Sequence, residues 1–437
     1  MIPRFTKGQP LTASDLNELA DAACMNIMGG SGVAITRLGK KIVVNKRLGQ
    51  KIQRGGIYGN VWKLSANNGI VQWGFDTGGE AYSVCAAPNG TVYVAGERNN
   101  AWSDGGAYAN VWRLSSSGKL VWGVDLGTSD DAHEVHATDN AVFVGYYDSA
   151  PKIAKLDPVD GATLATVDVL YGSAALRHGF GINSTQLWTW STVSSAQGLR
   201  VYDHDLSSIY SVTPPPTGLV DVAWGIGVSD DLVGFGAAYS ERFGALGITN
   251  ETLTVTDTTV SPGPVTQFSI AETITSTSAP TPYEIHANVD CEENYVTSSY
   301  YTQEGNRVTS DLRLSIARLY DTGGTLLHDI WLSNSNTGPA GESNDVAIDE
   351  SMGLFFYASE VRIAYMEGVL IDGAASNPYR GLFAFDIDTG AITWKWSPSA
   401  TEDGSGANGL HCVFADRAGS VYTTALVARE PFMKRAD

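Results

Sequence analysis

Thr91-Val92-Tyr93-Val94-Ala95-Gly96, then Asn110-Val111-Trp112-Arg113-Leu114, then Ser117-Gly118-Lys119-Leu120-Val121-Trp122, is the phrase that decides the fold. It returns as Ala141-Val142-Phe143-Val144-Gly145 with Lys152-Ile153-Ala154-Lys155-Leu156-Asp157. It returns again as Gly353-Leu354-Phe355-Phe356-Tyr357-Ala358 with Leu382-Phe383-Ala384-Phe385-Asp386 and Gly390-Ala391-Ile392-Thr393-Trp394. Four short strand signals recurring every roughly 40–65 residues are the signature of a β-propeller.

With strands labelled A to D from the axis outward, the A/B pairs fall at 81–86 with 91–96, 132–137 with 141–146, and 178–183 with 186–190. They continue at 220–226 with 231–236, 283–288 with 293–298, 343–348 with 353–358, and 409–414 with 420–425. The seventh pair has no C/D pair after it. An orphan C/D pair, Val61-Trp62-Lys63-Leu64 and Ile70-Val71-Gln72-Trp73, stands before the first blade. Strands from both chain ends therefore build one shared blade, and residues 61–437 form an all-β, seven-bladed ring. Because strands alternate in direction, A–B and C–D turns share one face, and these are mostly short Gly/Asn/Asp turns. The other face receives the insertions at 97–110, 237–251, 271–282, 299–315, 330–342, 359–381 and 397–408. Insertions collected on one face often mark a binding face.

Residues 1–60 do not follow the repeat. Thr12 is a good helix N-cap, Asp15 stands at N3, and Leu11 can staple onto Leu16. Leu16, Leu19, Ala20 and Ala23 make one apolar stripe at helical spacing. Val33-Ala34-Ile35-Thr36 and Ile42-Val43-Val44 read as a hairpin around Gly39. A helix this short needs something to pack on, either its own propeller or a partner. The expectation is a helix-plus-hairpin arm that attaches to a partner through Phe5, Leu11, Leu16 and Leu19.

Charge divides at the same boundary. Nine basic residues precede position 60 against Asp15, Glu18 and Asp21, a net +6, which leaves −25 for the rest of a chain whose total is −19. So acidic a body repels nucleic acid, and no specific nucleic-acid binding is expected. No apolar run is long enough to span a bilayer, so no membrane insertion is expected. Met1-Ile2-Pro3-Arg4-Phe5 lacks the apolar region of a signal peptide. Cys24, Cys85, Cys291 and Cys412 show no zinc-ligand spacing and read as thiols, not a disulfide framework.

Strand A of each blade should line the central channel. Aligned, the blades place Ser83, Glu134, His178, Asp221, Glu284, Asp345 and His411 at one level, with His136 and His286 two residues on. The pattern admits two readings. One is a metal or small-ligand site built on His136, His286 and their acidic neighbours; the other is a wet channel of solvated polar groups, which strand alternation alone produces. His136 and His286 stand three blades apart, too far to share one ion. The expectation is therefore no metal, no cofactor and no catalytic residue. The acidic run Asp125 to Asp131 reads as a solvated turn. Nucleophile-elbow, HExxH and phosphate-loop motifs are absent.

Two resemblances follow from these residues. Ser83-Val84-Cys85-Ala86, Val92 to Gly96, Trp112-Arg113-Leu114 and Trp122 resemble the SBBP and quinoprotein-like β-propeller repeats, over residues 61–426. That resemblance implies the fold, not an activity. The eight blades, signal peptide and vicinal cysteines usual in quinoprotein dehydrogenases are missing. Phe5-Thr6-Lys7-Gly8-Gln9-Pro10-Leu11-Thr12-Ala13-Ser14-Asp15-Leu16-Asn17 resembles the N-terminal arm of structural proteins of tailed bacteriophages. It implies a non-enzymatic virion protein, most naturally of the tail, present in multiple copies. Other virion proteins would be its partners through the arm, and a host surface glycan or receptor a further one. The alternatives are a lectin-like or enzymatic propeller acting through the long-loop face, and a capsid decoration protein.

Overall fold

The computed structural model describes residues 33–38, 41–46, 59–101, 108–127, 131–148, 150–169, 179–193, 196–212, 222–243, 246–261, 263–276, 288–301, 315–333, 343–359, 365–366, 369–370, 381–396, 398 and 410–429. Blade 1 is Ala81–Ala86, Val92–Asn99, Ala109–Leu114 and Leu120–Val124; blade 2 is Ala132–Ala137, Val142–Asp148, Ala150–Leu156 and Thr163–Asp168. Blade 3 is Phe180–Ile182, Gln186–Val193, Ala196–Asp203 and Ser208–Val212; blade 4 is Val222–Val228, Leu232–Phe243, Leu246–Asp257 and Thr266–Ser276. Blade 5 is Asn288–Cys291, Tyr295–Tyr301, Ser315–Asp321 and Leu326–Ser333; blade 6 is Ser343–Asp349, Leu354–Ser359, Leu382–Asp386 and Ile392–Trp396. Blade 7 takes Leu410–Ala415 and Ser420–Arg429 from the end of the chain, and Gly59–Ser65 and Val71–Phe75 from near its start. The A strands pack in ring order from blade 1 to blade 7 and back to blade 1.

The seven-bladed ring closed by both ends is thus present. Its seam is the pairing of Trp62 with Thr423 and of Lys63 with Tyr422. The middle strands are buried on both faces, because each blade is covered by its two neighbours. That is why Val92-Tyr93-Val94 and Phe355-Phe356-Tyr357 are apolar throughout instead of alternating. Alternation returns on the outermost strands, where Leu120–Val124 and Thr163–Asp168 show every second residue to water.

The Gly-x-x-x-Trp spacing of the repeat serves two joints at once. Gly118, in the C–D turn of blade 1 at φ +75°, lies under Trp73 of blade 7, whose Nε1 donates to Ser116 O at 2.9 Å. Trp122, four residues on, donates to Pro158 O of blade 2 at 3.3 Å and lies against Gly161. Trp394 over Gly69, His328 over Gly390, Phe268 over Gly324 and Tyr210 over Gly263 repeat the arrangement. The joint from blade 2 to blade 3 departs from it. Blade 2 has Ala165 where the aromatic stands, and the turn of blade 3 carries Leu206, at φ +62° and 8% exposed, in place of glycine. Leu206 fills the gap beside Phe143 and Ile153 with Ala165 and Val167 against it. The left-handed conformation costs a leucine about 1–2 kcal/mol, which its burial offsets.

The described part of strand A of blade 5 is Asn288–Cys291, of which Val289 and Cys291 pack into the blade 4–5 core; residues 283–287 of the expected strand lie outside the described residues. Two boundaries differ from expectation. Residues 237–251 are mostly not an insertion but a lengthening of strands B and C, paired in continuous register from Leu232↔Asp257 to Phe243↔Leu246. Within 359–381, Tyr365–Met366 and Val369–Leu370 form a hairpin that crosses back to blade 5 and pairs with its outermost strand, Leu332↔Met366. The helix expected near residues 12–28 lies outside the described residues. Val33–Leu38 pairs antiparallel with Lys41–Lys46 as a two-stranded sheet of its own.

A matched pair of substitutions tests the turn–aromatic joint. A Cβ on Gly118 would fall 2.5 Å from the Trp73 ring, whereas one on Gly353, at φ +65°, meets nothing within 4 Å. Gly353→Ala should cost only the backbone term, about 1–2 kcal/mol. Gly118→Ala should cost about 2–5 kcal/mol, since overpacking adds to it. Urea unfolding of the two variants measures the difference.

Candidate functional site

The channel is narrowed at its centre by what holds the A strands together. An A strand is the inner edge of its sheet, so it carries backbone groups that its own sheet cannot pair. Side chains from the preceding blade supply the partners. Ser83 Oγ accepts from Val135 N at 3.2 Å, and Glu134 Oε2 from Phe180 N at 3.2 Å. Asp290 Oδ2 accepts from Ile348 N at 2.9 Å, and Asp345 Oδ2 from Val413 N at 2.9 Å. Cys412 Sγ, 3.9 Å from Val84 O, links blade 7 back to blade 1. At the two remaining joints, glycine lets the strands approach directly. A Cβ on Gly181 would meet Val228, and one on Gly227 the backbone of Val289 and Asp290.

Glu134 and Asp345 are therefore not solvated channel groups, contrary to expectation. Both are buried, and burial raises both carboxyls above the usual range despite the N–H groups they accept from. Asp290, which sequence alignment missed, is raised by burial in the same way. His136 does face the cavity. Its ring is half-buried, with Nε2 3.0 Å from Glu134 Oε1 and an edge-to-face contact on Phe180. His411 does not line the cavity: it is buried and set edge-on to Tyr82. Blades 1 and 6 have the same register shift just before Ser83 and Asp345, so the residue at their level in blade 7 is Cys412, not His411. His178, Asp221, Glu284 and His286 lie outside the described residues, as do Phe5, Leu11, Leu16 and Leu19.

Between the A strands is a cavity of about 380 Å³, lined by Glu134, His136, Asp290, Asp345 and Cys412 among others. It reaches the A–B turns, where Ser184, Asp230 and Arg417 are exposed. Its mouth is thus on the short-turn face, opposite the insertions. Arg417 spans that mouth. Its Nη2 donates to Cys291 O at 3.0 Å, and its Nε pairs with Glu292 Oε1. The contact runs from blade 7 to blade 5 over the turn of blade 6, where Ser351 Oγ donates to Arg417 O at 3.5 Å. Arg417 adopts φ +55°, a conformation that a non-glycine residue keeps only when its surroundings enforce it. The one sequence signal for it was a lone arginine among A–B turns that are otherwise acidic or neutral.

Glu292 is 6% exposed, and its Oε2 accepts from Glu350 N at 2.6 Å. Burial outweighs Arg417 and lifts Glu292 to about 7. Glu350 Oε1 in turn accepts from Asn294 N at 2.7 Å. Among the described residues, no three His, Cys, Asp or Glu side chains are arranged to hold a metal ion. Cys85, Cys291 and Cys412 are buried free thiols, and burial raises all three.

On the insertion side, Asp125 and Asp131, the described acidic residues of the run from 125 to 131, are engaged by side chains and backbone rather than simply solvated. Arg98 binds Asp125 through Nε and Nη2, the shorter contact being 2.6 Å, and its guanidinium lies 4.1 Å from the Tyr108 ring. Asp131 accepts from Arg98 N at 3.0 Å and lies 3.2 Å from Tyr82 Oη, which also donates to Glu80 at 2.7 Å.

No family model and no curated protein matches the chain. Among solved structures, it is similar to BamB from Moraxella catarrhalis at 12% identity and TM-score 0.43, over 90% of this chain and 96% of that one. The Dos1 propeller gives 11% and 0.41 over 84% and 95%, and the computationally designed Ika8 protein 11% and 0.41 over 79% and 96%. Likeness at this level says nothing of activity or partners.

Two substitutions test these contacts. Asp345→Ala should lose about 1–3 kcal/mol through the Val413 N–H left without an acceptor, whereas Asp345→Asn, which keeps an oxygen, should lose less. Glu292 binds its proton more tightly folded than unfolded, so its contribution is full below about 4.5 and is lost as pH rises through about 7. Thermal midpoints should therefore fall more gently across that window in Glu292→Gln than in the parent.

Proposed function

We propose that this chain is a non-enzymatic structural protein of a tailed-bacteriophage particle, a component of the tail. Residues 1–60 attach it to a neighbouring subunit, and the propeller is the displayed module for assembly or host contact. The carrying observation is the arm, Phe5 to Asn17, with its apolar stripe and its net positive charge set before an acidic body. The use made of the channel side chains agrees with it. Ser83, Glu134, Asp290 and Asp345 hold neighbouring blades together, which is structural work. An acidic ring also suits a conduit past which nucleic acid slides without sticking.

Leu16→Asp places a charge in the apolar stripe of the arm. The variant should be lost from assembled particles while the purified protein keeps the parent's melting temperature. Incorporation at the parental level would overturn the attachment role.

A further inference from the structure

The seven-fold repeat makes departures from symmetry visible on the rim. The third residue after the left-handed turn residue lies on the outermost strand of each blade, facing out. In blades 1, 2 and 3 it is Val121, Leu164 and Ile209, which are 51%, 54% and 43% exposed. In blades 6 and 7 the same place holds Thr393 and Gln72. Beside Leu164, Val159 is 72% exposed. Blade 5 also has an aliphatic there, Leu327, 40% exposed, and the Tyr365–Met366 hairpin covers the far end of the same strand, at Leu332 and Ser333. The outer strand of blade 2, Thr163–Asp168, is an edge strand with no such cover among the described residues. Its first five residues, Thr-Leu-Ala-Thr-Val, carry neither charge nor proline, the usual guards of an open edge.

The chain also contains a strand pair that needs a third strand. Among the described residues, Val33–Leu38 and Lys41–Lys46 form a two-stranded sheet, and such a ribbon is marginal in water until it joins a larger sheet. Its segment is basic, and the rim near blade 2 carries Asp148, Asp160, Asp168 and Asp205 against Lys152 and Lys155, which pair with Asp148 and Asp205. We infer that the Val33–Lys46 hairpin of one copy pairs edge-to-edge with the outer strand of blade 2 in a second copy. The hairpin of blade 6 on blade 5 shows the same mode within one chain. This rests on the attachment reading above and makes the neighbouring subunit another copy of this chain. An arm from one place on the ring docking on another place makes a head-to-tail contact, which generates rings or filaments.

The test uses the full-length protein in sedimentation velocity over a range of concentrations. The parent should self-associate, and Leu164→Lys should weaken association at least tenfold with no change in melting temperature. Ile35→Pro, in the other partner, should weaken it as much. When protein carrying only Leu164→Cys is mixed with protein carrying only Ile35→Cys and oxidised, a disulfide-linked heterodimer should form. A parent that stays monomeric, or association indifferent to Leu164→Lys, would overturn the proposal. So would a cross-link that forms only when both cysteines share a chain. Particle incorporation separates the two readings. If Leu16→Asp abolishes it and Leu164→Lys does not, attachment stands and copy-to-copy docking falls. If neither matters, both fall.

Discussion

The ring depends on one handover, made at four of its seven joints: an oxygen from the innermost strand of one blade accepts the backbone N–H of the innermost strand of the next. Each blade is a sheet whose inner edge would otherwise present unpaired amides at the most crowded place in the molecule. Ser83 to Val135, Glu134 to Phe180, Asp290 to Ile348 and Asp345 to Val413 remove that cost. The carboxylates do this while buried, where ionisation is penalised, so the bond and the burial pull their protonation in opposite directions. A side chain in that position serves as a joint between blades before it can serve as anything else.

Farther out the same problem is solved with apolar surface. The turn glycine of one blade receives the aromatic of the one before, and a carbonyl of that turn often takes its ring N–H. The inner handover fixes the spacing of the A strands; the outer contact fixes the angle between blades. Where the outer contact is missing, between blades 2 and 3, a leucine in a conformation suited to glycine takes its place. Ion pairing joins it there, since Lys155 Nζ lies 2.6 Å from Asp205 Oδ1.

Much of this architecture was legible because the hairpins are local. Turn chemistry and two-residue alternation sit within a dozen residues of each other, so blade count and the shared blade could be read directly. What could not be read is what depends on distant partners. Asp290 is the joint of blade 5, but Glu284 is the residue the repeat aligns, and nothing local shows that Asp290 meets the N–H of Ile348 in blade 6. Trp394 finds the carbonyl of Ala66, 328 positions away, and nothing near either residue announces the other. Arg417 stood out in sequence only as a lone basic turn residue, and its contacts could not be read for the same reason: its partners, Cys291 and Glu292, belong to a blade two places back. Glu134 and Asp345 were found, yet with the wrong role, because a period of two shows which residues point inward and not what they meet there.

The shared blade has a consequence for how the protein comes into being. Gly59–Ser65 and Val71–Phe75 leave the ribosome first among the described blade strands, and Leu410–Ala415 and Ser420–Arg429 last. Throughout synthesis the early hairpin has no sheet to join, and a two-stranded ribbon is marginal alone. The ring can close only when Leu410–Ala415 and Ser420–Arg429 emerge, so a chain lacking them would leave the edge of Gly59–Ser65 unpaired and the blade 6 flank of the ring uncovered.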